Sequence, residues 1–179
     1  MDLGLKGRRV LITGGSKGIG RNCAEIFAEE GAMVSICARN GQEVGGLVAE
    51  LKSKGIDAYG EAVDVSNKEA LEAWVVNSAE ALGGIDMVVG NVSALAGSDD
   101  EAAWKSGFET DMMHSVRLVN AAMPWLEKGD ASSITLISSV SGREIDFAGP
   151  AYGAFKAAIA HYAKGLAFKL AGKNIRANT

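Results

Sequence analysis

The sequence predicts an α/β chain, a doubly wound parallel sheet with helices on both faces. Three observations carry that reading. Strand-like and helix-like patterns alternate along the chain. The strand-like runs, Val10-Leu11-Ile12 and Ile85-Asp86-Met87-Val88-Val89 among them, are near-continuously apolar. A glycine-bearing segment, Thr13-Gly14-Gly15-Ser16-Lys17-Gly18-Ile19-Gly20, joins the first strand to the first helix. Strands buried on both faces lose the alternation of a half-exposed sheet, and helical crossovers supply the cover. Right-handed crossovers then place a ligand crevice at the carboxyl ends of the strands.

Each element follows from local signals. Arg8 to Thr13 reads as the first strand and Ile19 to Glu30 as a helix ended by Gly31. Met33 to Ala38 is a second strand, and Glu43 to Lys54 a helix with Gly55 after it. Ile56 to Val63 is a shorter third strand. Asn67 to Leu82 is a helix stopped by Gly83-Gly84, with Ser66 or Asn67 supplying the oxygen that caps its first-turn N–H groups. Ile85 to Val89 is a buried strand. Ser93 to Ala103, rich in Ala, Gly and Asp, reads as a loop too short to separate domains. A long helix covers roughly Phe108 to Leu126, with Pro124 near its end, and Ser133 to Ser138 is the fifth strand. Pro150 to Leu170 is a helix with proline in its first turn, where a missing N–H costs little. Asn174 to Asn178 begins another strand.

Whole-chain properties narrow the function classes. A length of 179 residues predicts one domain over 1–179 with a sizeable core, and 47% hydrophobic with 22% charged residues is ordinary globular composition. A net charge of −4 with scattered basic residues gives no electrostatic case for nucleic acid. No apolar run is long enough to span a bilayer, and Met1-Asp2-Leu3-Gly4-Leu5-Lys6-Gly7 has no secretory hydrophobic region. Cys23 and Cys37 cannot make a disulfide framework and read as buried reduced thiols, so a cytoplasmic location is expected. No metal centre is expected.

The glycine segment is a pyrophosphate cradle in this context. Glycines let the backbone turn tightly and approach the phosphates, while the following helix offers unpaired N–H groups to negative charge. Tyr152 and Lys156 stand four apart on one face of the Pro150–Leu170 helix. An ammonium beside a phenol favours the phenolate, which suits a tyrosine to proton exchange near neutral pH. Such a pair is common on solvated helices, but this helix begins just beyond a strand ending in Ser138-Ser139. Hydroxyl, phenol and ammonium therefore converge on the predicted crevice.

With these residues in place, essentially the whole chain resembles the classical short-chain dehydrogenase/reductase family, whose dinucleotide-binding domain has the Rossmann fold. The resemblance rests on Thr13 to Gly20, Asp64 after the third strand, Asn91 after the fourth, Ser139, and Tyr152-Gly153-Ala154-Phe155-Lys156. It implies a general acid or base at Tyr152 and a hydrogen bond from Ser139 to the substrate oxygen, Ser139 fitting the spacing better than Ser138 or Ser141. It implies that Lys156 binds the nicotinamide ribose and tunes the tyrosine. It further implies cofactor contacts from Gly14, Ser16, Lys17, Gly18, Ile19 and Gly20. Asp64 would accept from the adenine amino group with Val65 beside it, and Asn91 would support cofactor and central strand. Hydride would pass between nicotinamide and a substrate carbon.

Charge selects the cofactor variant. NAD-preferring relatives carry an acidic residue at the end of the second strand; here that position is Ala38, followed by Arg39. Arg39 and Lys17 can both pair with a 2′-phosphate. Charge-assisted hydrogen bonds are worth about 1.5–3 kcal/mol, which predicts a roughly ten- to hundredfold preference for NADP(H) over NAD(H).

Three departures from the family pattern stand out. The long helix carries Asp111 where the family has a fourth catalytic residue, an asparagine that holds a helix kink and a relay water. An ionised aspartate accepts from that water without donating and can pair with Lys156. His114 and His161 read as packing or surface residues. The segment Gly90-Asn91-Val92-Ser93 keeps only the asparagine of the usual Asn-Asn-Ala-Gly. Family members also run on past Ile175-Arg176-Ala177-Asn178-Thr179 into a substrate-covering segment and a seventh strand, so the resemblance implies a C-terminally truncated chain.

The leading expectation is an NADP(H)-dependent oxidoreductase for a ketone/secondary alcohol pair, a 3-oxoacyl thioester reductase being the plainest version. The alternative is a cofactor-binding or regulatory protein on the same fold, its catalysis impaired by Asp111 or truncation. An epimerase or dehydratase fits the motifs less well. The resemblance implies a homodimer or homotetramer through the helix around Val116 to Leu126 and the Pro150–Leu170 helix, with Met112, Met113, Val119 and Met123 as apolar contacts or as core. No nucleic-acid or membrane partner is expected.

Overall fold

The computed structural model describes residues 3–145 and 149–179; Met1 and Asp2 of the leading segment lie outside the described residues. Among the described residues six strands are present: β1 (Arg9–Thr13), β2 (Met33–Ala38), β3 (Ala58–Ala62), β4 (Met87–Gly90), β5 (Ser133–Leu136) and β6 (Arg176–Asn178). All neighbours are parallel, in the order β3-β2-β1-β4-β5-β6. The chain winds outward from β1 to β3, then returns to the centre and winds the other way from β4. The reversal between β1 and β4 opens the crevice at their carboxyl ends.

Helices α1 (Gly18–Glu29), α2 (Gly41–Ser53), α3 (Lys68–Leu82), α4 (Glu101–Gly107), α5 (His114–Leu126) and α6 (Pro150–Leu170) connect the strands. Alternate residues of β1 explain the two faces. Val10 and Ile12 pack with Ala24, Ala28, Val44 and Leu47 of α1 and α2. Leu11 packs on the other side with Trp74, Leu118 and Ile159 of α3, α5 and α6. All of these side chains are nearly inaccessible, and their burial is the main driving force for the layered arrangement.

The sequence placed β2 and α6 at their observed bounds and most other elements within two or three residues. Asn67, one of two expected caps, closes α3 by accepting from Ala70 N. The long helix differs more. It starts at Glu101, not Phe108, because Asp100 accepts from Ala103 N at 2.8 Å and caps α4 inside a segment whose composition reads as loop. It then passes through a six-residue π-helical segment, Phe108–Met113, before α5. The rings of Trp104 and Phe155 meet edge-on at 5.6 Å and tie α4 to α6. Val119, considered as an interface contact, is fully buried in the core, and Met112 and Met123 are half-buried against it.

Candidate active site

The glycine segment turns from β1 into α1 at the crevice. Gly18 has φ +53°, and a Cβ there would meet nothing within 4 Å, so its left-handed backbone faces open space. Gly20 is needed for close approach: a Cβ would lie 2.3 Å from Gly14 O and 2.6 Å from Asn91 Nδ2. Lys17, the N-cap, makes no side-chain cap bond, and the first turn of α1 carries no acidic residue. The opening N–H groups thus face the crevice without a side-chain competitor, which fits an anion. Ile19 stands 62% exposed at the same place, an apolar residue in solvent beside the open turn.

Asn91 locks this loop to the adjacent strand. Its N–H donates to Thr13 Oγ1 at 3.0 Å, and its Nδ2 donates to Thr13 O at 3.1 Å and Gly14 O at 3.4 Å. Asp64, just past β3, accepts from Ser66 N and Ser66 Oγ at 3.0 and 2.7 Å. Those two bonds, with a lesser contribution from the Arg39 charge, hold its carboxyl below the usual range. Val65 beside it is buried, while Arg39 at the end of β2 is exposed. Lys17 is not free: it forms an ion pair with Glu43 at 2.7 Å.

At the other side of the crevice, Ser139 Oγ accepts from Ser141 N at 3.2 Å and lies 3.0 Å from Ser141 Oγ. Ser138 turns away, donating to Lys156 O at 2.8 Å. That bond ties Ser138 to the backbone of α6. Lys156, buried, donates from Nζ to Ile137 O at 3.0 Å, and its ammonium is 5.4 Å from the centre of the Tyr152 ring. The π-helical segment carries Asp111 to the same point, with Oδ1 3.3 Å from Lys156 Nζ and Oδ2 accepting from Ala94 N at 2.9 Å. Segments of this kind recur at functional sites because they redirect a side chain without ending the helix.

Two further residues stand beside these: His114, read from the sequence as packing or surface and found packed, and Glu43, which the sequence reading did not single out. His114 is fully buried, with Nδ1 3.1 Å from Thr110 O and Nε2 2.9 Å from Thr13 Oγ1. A carbonyl only accepts, so Nδ1 carries the proton and Nε2 accepts from the threonine. Burial pushes the imidazole down to about 4, so it is neutral at pH 7. The result is a chain of bonds from Asn91 N through Thr13 and His114 to the π-helical segment. The second is Glu43, whose Asn40-to-Glu43 spacing was the signal available in the sequence. His161 is exposed, as read.

A cavity of about 500 Å³ adjoins the site beside Ser141, with Trp104, Ile145 and Pro150 among its walls. Neither Tyr152 nor Ser139 lines it, so it borders the catalytic crevice and is not the crevice itself. Among the described residues, no helix is long and apolar enough to cross a membrane.

Residues 8–179 match the family model described as short chain dehydrogenase. The chain is 41% identical over 182 aligned positions to isoepoxydon dehydrogenase patN of Penicillium expansum, covering 99% of this chain and 70% of that relative. Among solved structures it resembles the L-sorbose reductase of Gluconobacter frateurii complexed with NADPH and L-sorbose, at a TM-score of 0.93 and 32% identity, covering 99% of this chain and 70% of that one. It also resembles a 7α-hydroxysteroid dehydrogenase complexed with NADH and 7-oxo glycochenodeoxycholic acid, at a TM-score of 0.91 and 27% identity, over 96% of this chain and 69% of that one.

Proposed function

The chain belongs to the short-chain dehydrogenase family, oxidoreductases of the CH–OH/C=O pair that use a nicotinamide cofactor, and we propose that it interconverts a ketone and a secondary alcohol with NADP(H). The supporting observation is the Lys156 ammonium 5.4 Å from the Tyr152 ring, at the crevice edge that the glycine loop shares. When bound, the cofactor supplies or accepts the hydride.

Every other step falls to side chains of this protein. The open first turn of α1 binds the pyrophosphate, with Gly14, Ser16, Gly18, Ile19 and Gly20 forming its cradle. Asp64 and Val65 receive the adenine, and Arg39 with Lys17 takes the 2′-phosphate. Asn91 keeps the glycine loop on the central strands. Ser139, held through its oxygen by Ser141 N, donates a hydrogen bond to the substrate oxygen and keeps its proton. Tyr152 gives its proton to that oxygen during reduction and takes it back during oxidation. The Lys156 charge stabilises the negative charge growing on the phenol oxygen. Asp111 stands against Lys156 as its buried counter-charge.

We place this activity in a single domain over 1–179, with the 3-oxoacyl thioester as the plainest substrate. The free thiols Cys23 and Cys37 fit a cytoplasmic location. Exposed Phe168 on α6 and half-buried Met123 on α5 supply apolar surface for a homodimer or homotetramer. One observation favours a second reading, a cofactor-binding regulator: Asp111 partly neutralises the ammonium that the tyrosine needs.

Tyr152→Phe separates the two. Ketone-dependent NADPH oxidation is expected to fall by about two to four orders of magnitude, with NADPH binding, followed by fluorescence, unchanged. An unchanged rate overturns the catalytic reading. Parallel titration with NADH tests the cofactor preference.

A further inference from the structure

One carboxylate in front of the glycine loop gathers three side chains. Glu43 Oε1 lies 2.7 Å from Lys17 Nζ and accepts from Asn40 Nδ2 at 2.7 Å, and Glu43 Oε2 accepts from Ser16 Oγ at 3.2 Å. Lys17 and Ser16 belong to the loop between β1 and α1. Asn40 and Glu43 open α2, directly after Arg39. Part of the arrangement is helix capping, because Asn40 Oδ1 accepts from Gln42 N and Glu43 N, and Glu43 accepts in turn from the Asn40 side-chain amide. Capping does not require the carboxylate to leave its own helix and hold two residues of the glycine loop.

We infer that Glu43 is a cofactor-selectivity residue whose carboxylate competes with an adenosine 2′-phosphate for Lys17 and Ser16. The inference rests on the NADP(H) reading, which assigns Lys17 and Arg39 to that phosphate. Lys17 and Arg39 bring two positive charges to this corner and Glu43 one negative charge. A phosphate entering there repels the carboxylate and must take the ammonium from it, so Glu43 has to turn away. An unphosphorylated ribose imposes no such exchange. Its hydroxyls are uncharged and leave the pair of Glu43 with Lys17 in place. Glu43 thus narrows the preference that the two cations would otherwise give.

The test compares wild type, Glu43→Gln and Lys17→Ala by calorimetric titration of the full chain with 2′,5′-ADP and 5′-AMP. These probes differ at the 2′ position and do not involve the nicotinamide end of the site. Glutamine keeps an oxygen that can accept from Asn40 Nδ2, and thermal melts verify that the fold is kept. Glu43→Gln is expected to raise the affinity ratio of 2′,5′-ADP to 5′-AMP roughly three- to tenfold, the scale of losing an exposed ion pair plus a repulsion. Lys17→Ala is expected to lower that ratio. If wild type favours 2′,5′-ADP and Glu43→Gln leaves the ratio unchanged, Glu43 is a helix cap only: the inference falls and the NADP(H) reading stands. If wild type shows no preference and Glu43→Gln creates one, the inference stands and the NADP(H) preference falls. Equal affinities in both proteins overturn both.

Discussion

Asp111 Oδ1 lies 3.3 Å from Lys156 Nζ, with both side chains only 2% exposed. Oδ1 makes no hydrogen bond among the described residues, whereas Oδ2 is fixed by Ala94 N. The carboxylate therefore faces the ammonium as a counter-charge and offers it no well-aligned acceptor. Lys156 finds that acceptor in Ile137 O. Positive charge beside Tyr152 is in this way partly cancelled within the protein, in a setting where solvent screens little.

Asp111→Asn tests that cancellation. The amide oxygen can still accept from Ala94 N, but Lys156 loses its counter-charge. Alcohol oxidation at neutral pH is expected to rise several-fold in steady-state assays, since the full ammonium charge then acts on the phenol oxygen. Stability in denaturant melts is expected to fall by about 3 kcal/mol, the scale for leaving a buried charge unpaired. A loss of rate would instead put the carboxylate on the proton path.

His114 gives the fold a pH dependence. Its imidazole is pushed down to about 4 by burial, against about 6.5 in the unfolded chain. Between those values the unfolded state binds a proton that the native state does not, so stability rises with pH across this window. Cooling from neutral stability is not involved; acidification alone should remove on the order of 3 kcal/mol between about pH 6.5 and 4. His114→Asn is expected to flatten that part of the curve in thermal melts recorded across pH. An identical slope in the variant would assign the acid sensitivity to other groups.

Asp86 closes the opposite end of the sheet. Its Oδ2 accepts from Arg9 N and Arg9 Nε at 2.9 and 2.7 Å, and its Oδ1 accepts from Arg9 Nη2 at 2.7 Å. Burial pushes the carboxyl up, but the Arg9 bonds outweigh it and hold the carboxyl below its ordinary value. This stability is present above the unfolded carboxylate value of about 4 and is lost as pH falls below it. Asp86→Asn is expected to cost about 2–4 kcal/mol in chemical denaturation. NADPH affinity should be unchanged, because Arg9 and Asp86 lie at the amino ends of β1 and β4. A weakened affinity would mean that the two ends of the sheet are coupled.

The local sequence carried much of the site. The strand–glycine–helix order at Thr13–Gly20 and the four-residue step from Tyr152 to Lys156 each lie within one short stretch, where backbone periodicity decides which side chains share a face. Asn67 was legible as a cap for the same reason. The bond from Ser138 to Lys156 O was not legible in the same way, since it joins two elements. The start of α4 was hidden by composition: Asp100 is a good cap, but the Ala, Gly and Asp around it also suit a loop.

By itself the sequence determined the alternation of elements, the parallel sheet and the family, because hydrophobic period, caps and motif spacing are local properties. Only the tertiary structure decided what the site residues face. A π-helical segment has no sequence signature here, yet it sets Asp111 against Lys156. The bond between His114 and Thr13 spans 101 positions, and the one between Ser16 and Glu43 spans 27. Such partners are chosen by which strand ends the winding order brings together and by which polar atoms burial leaves needing a bond.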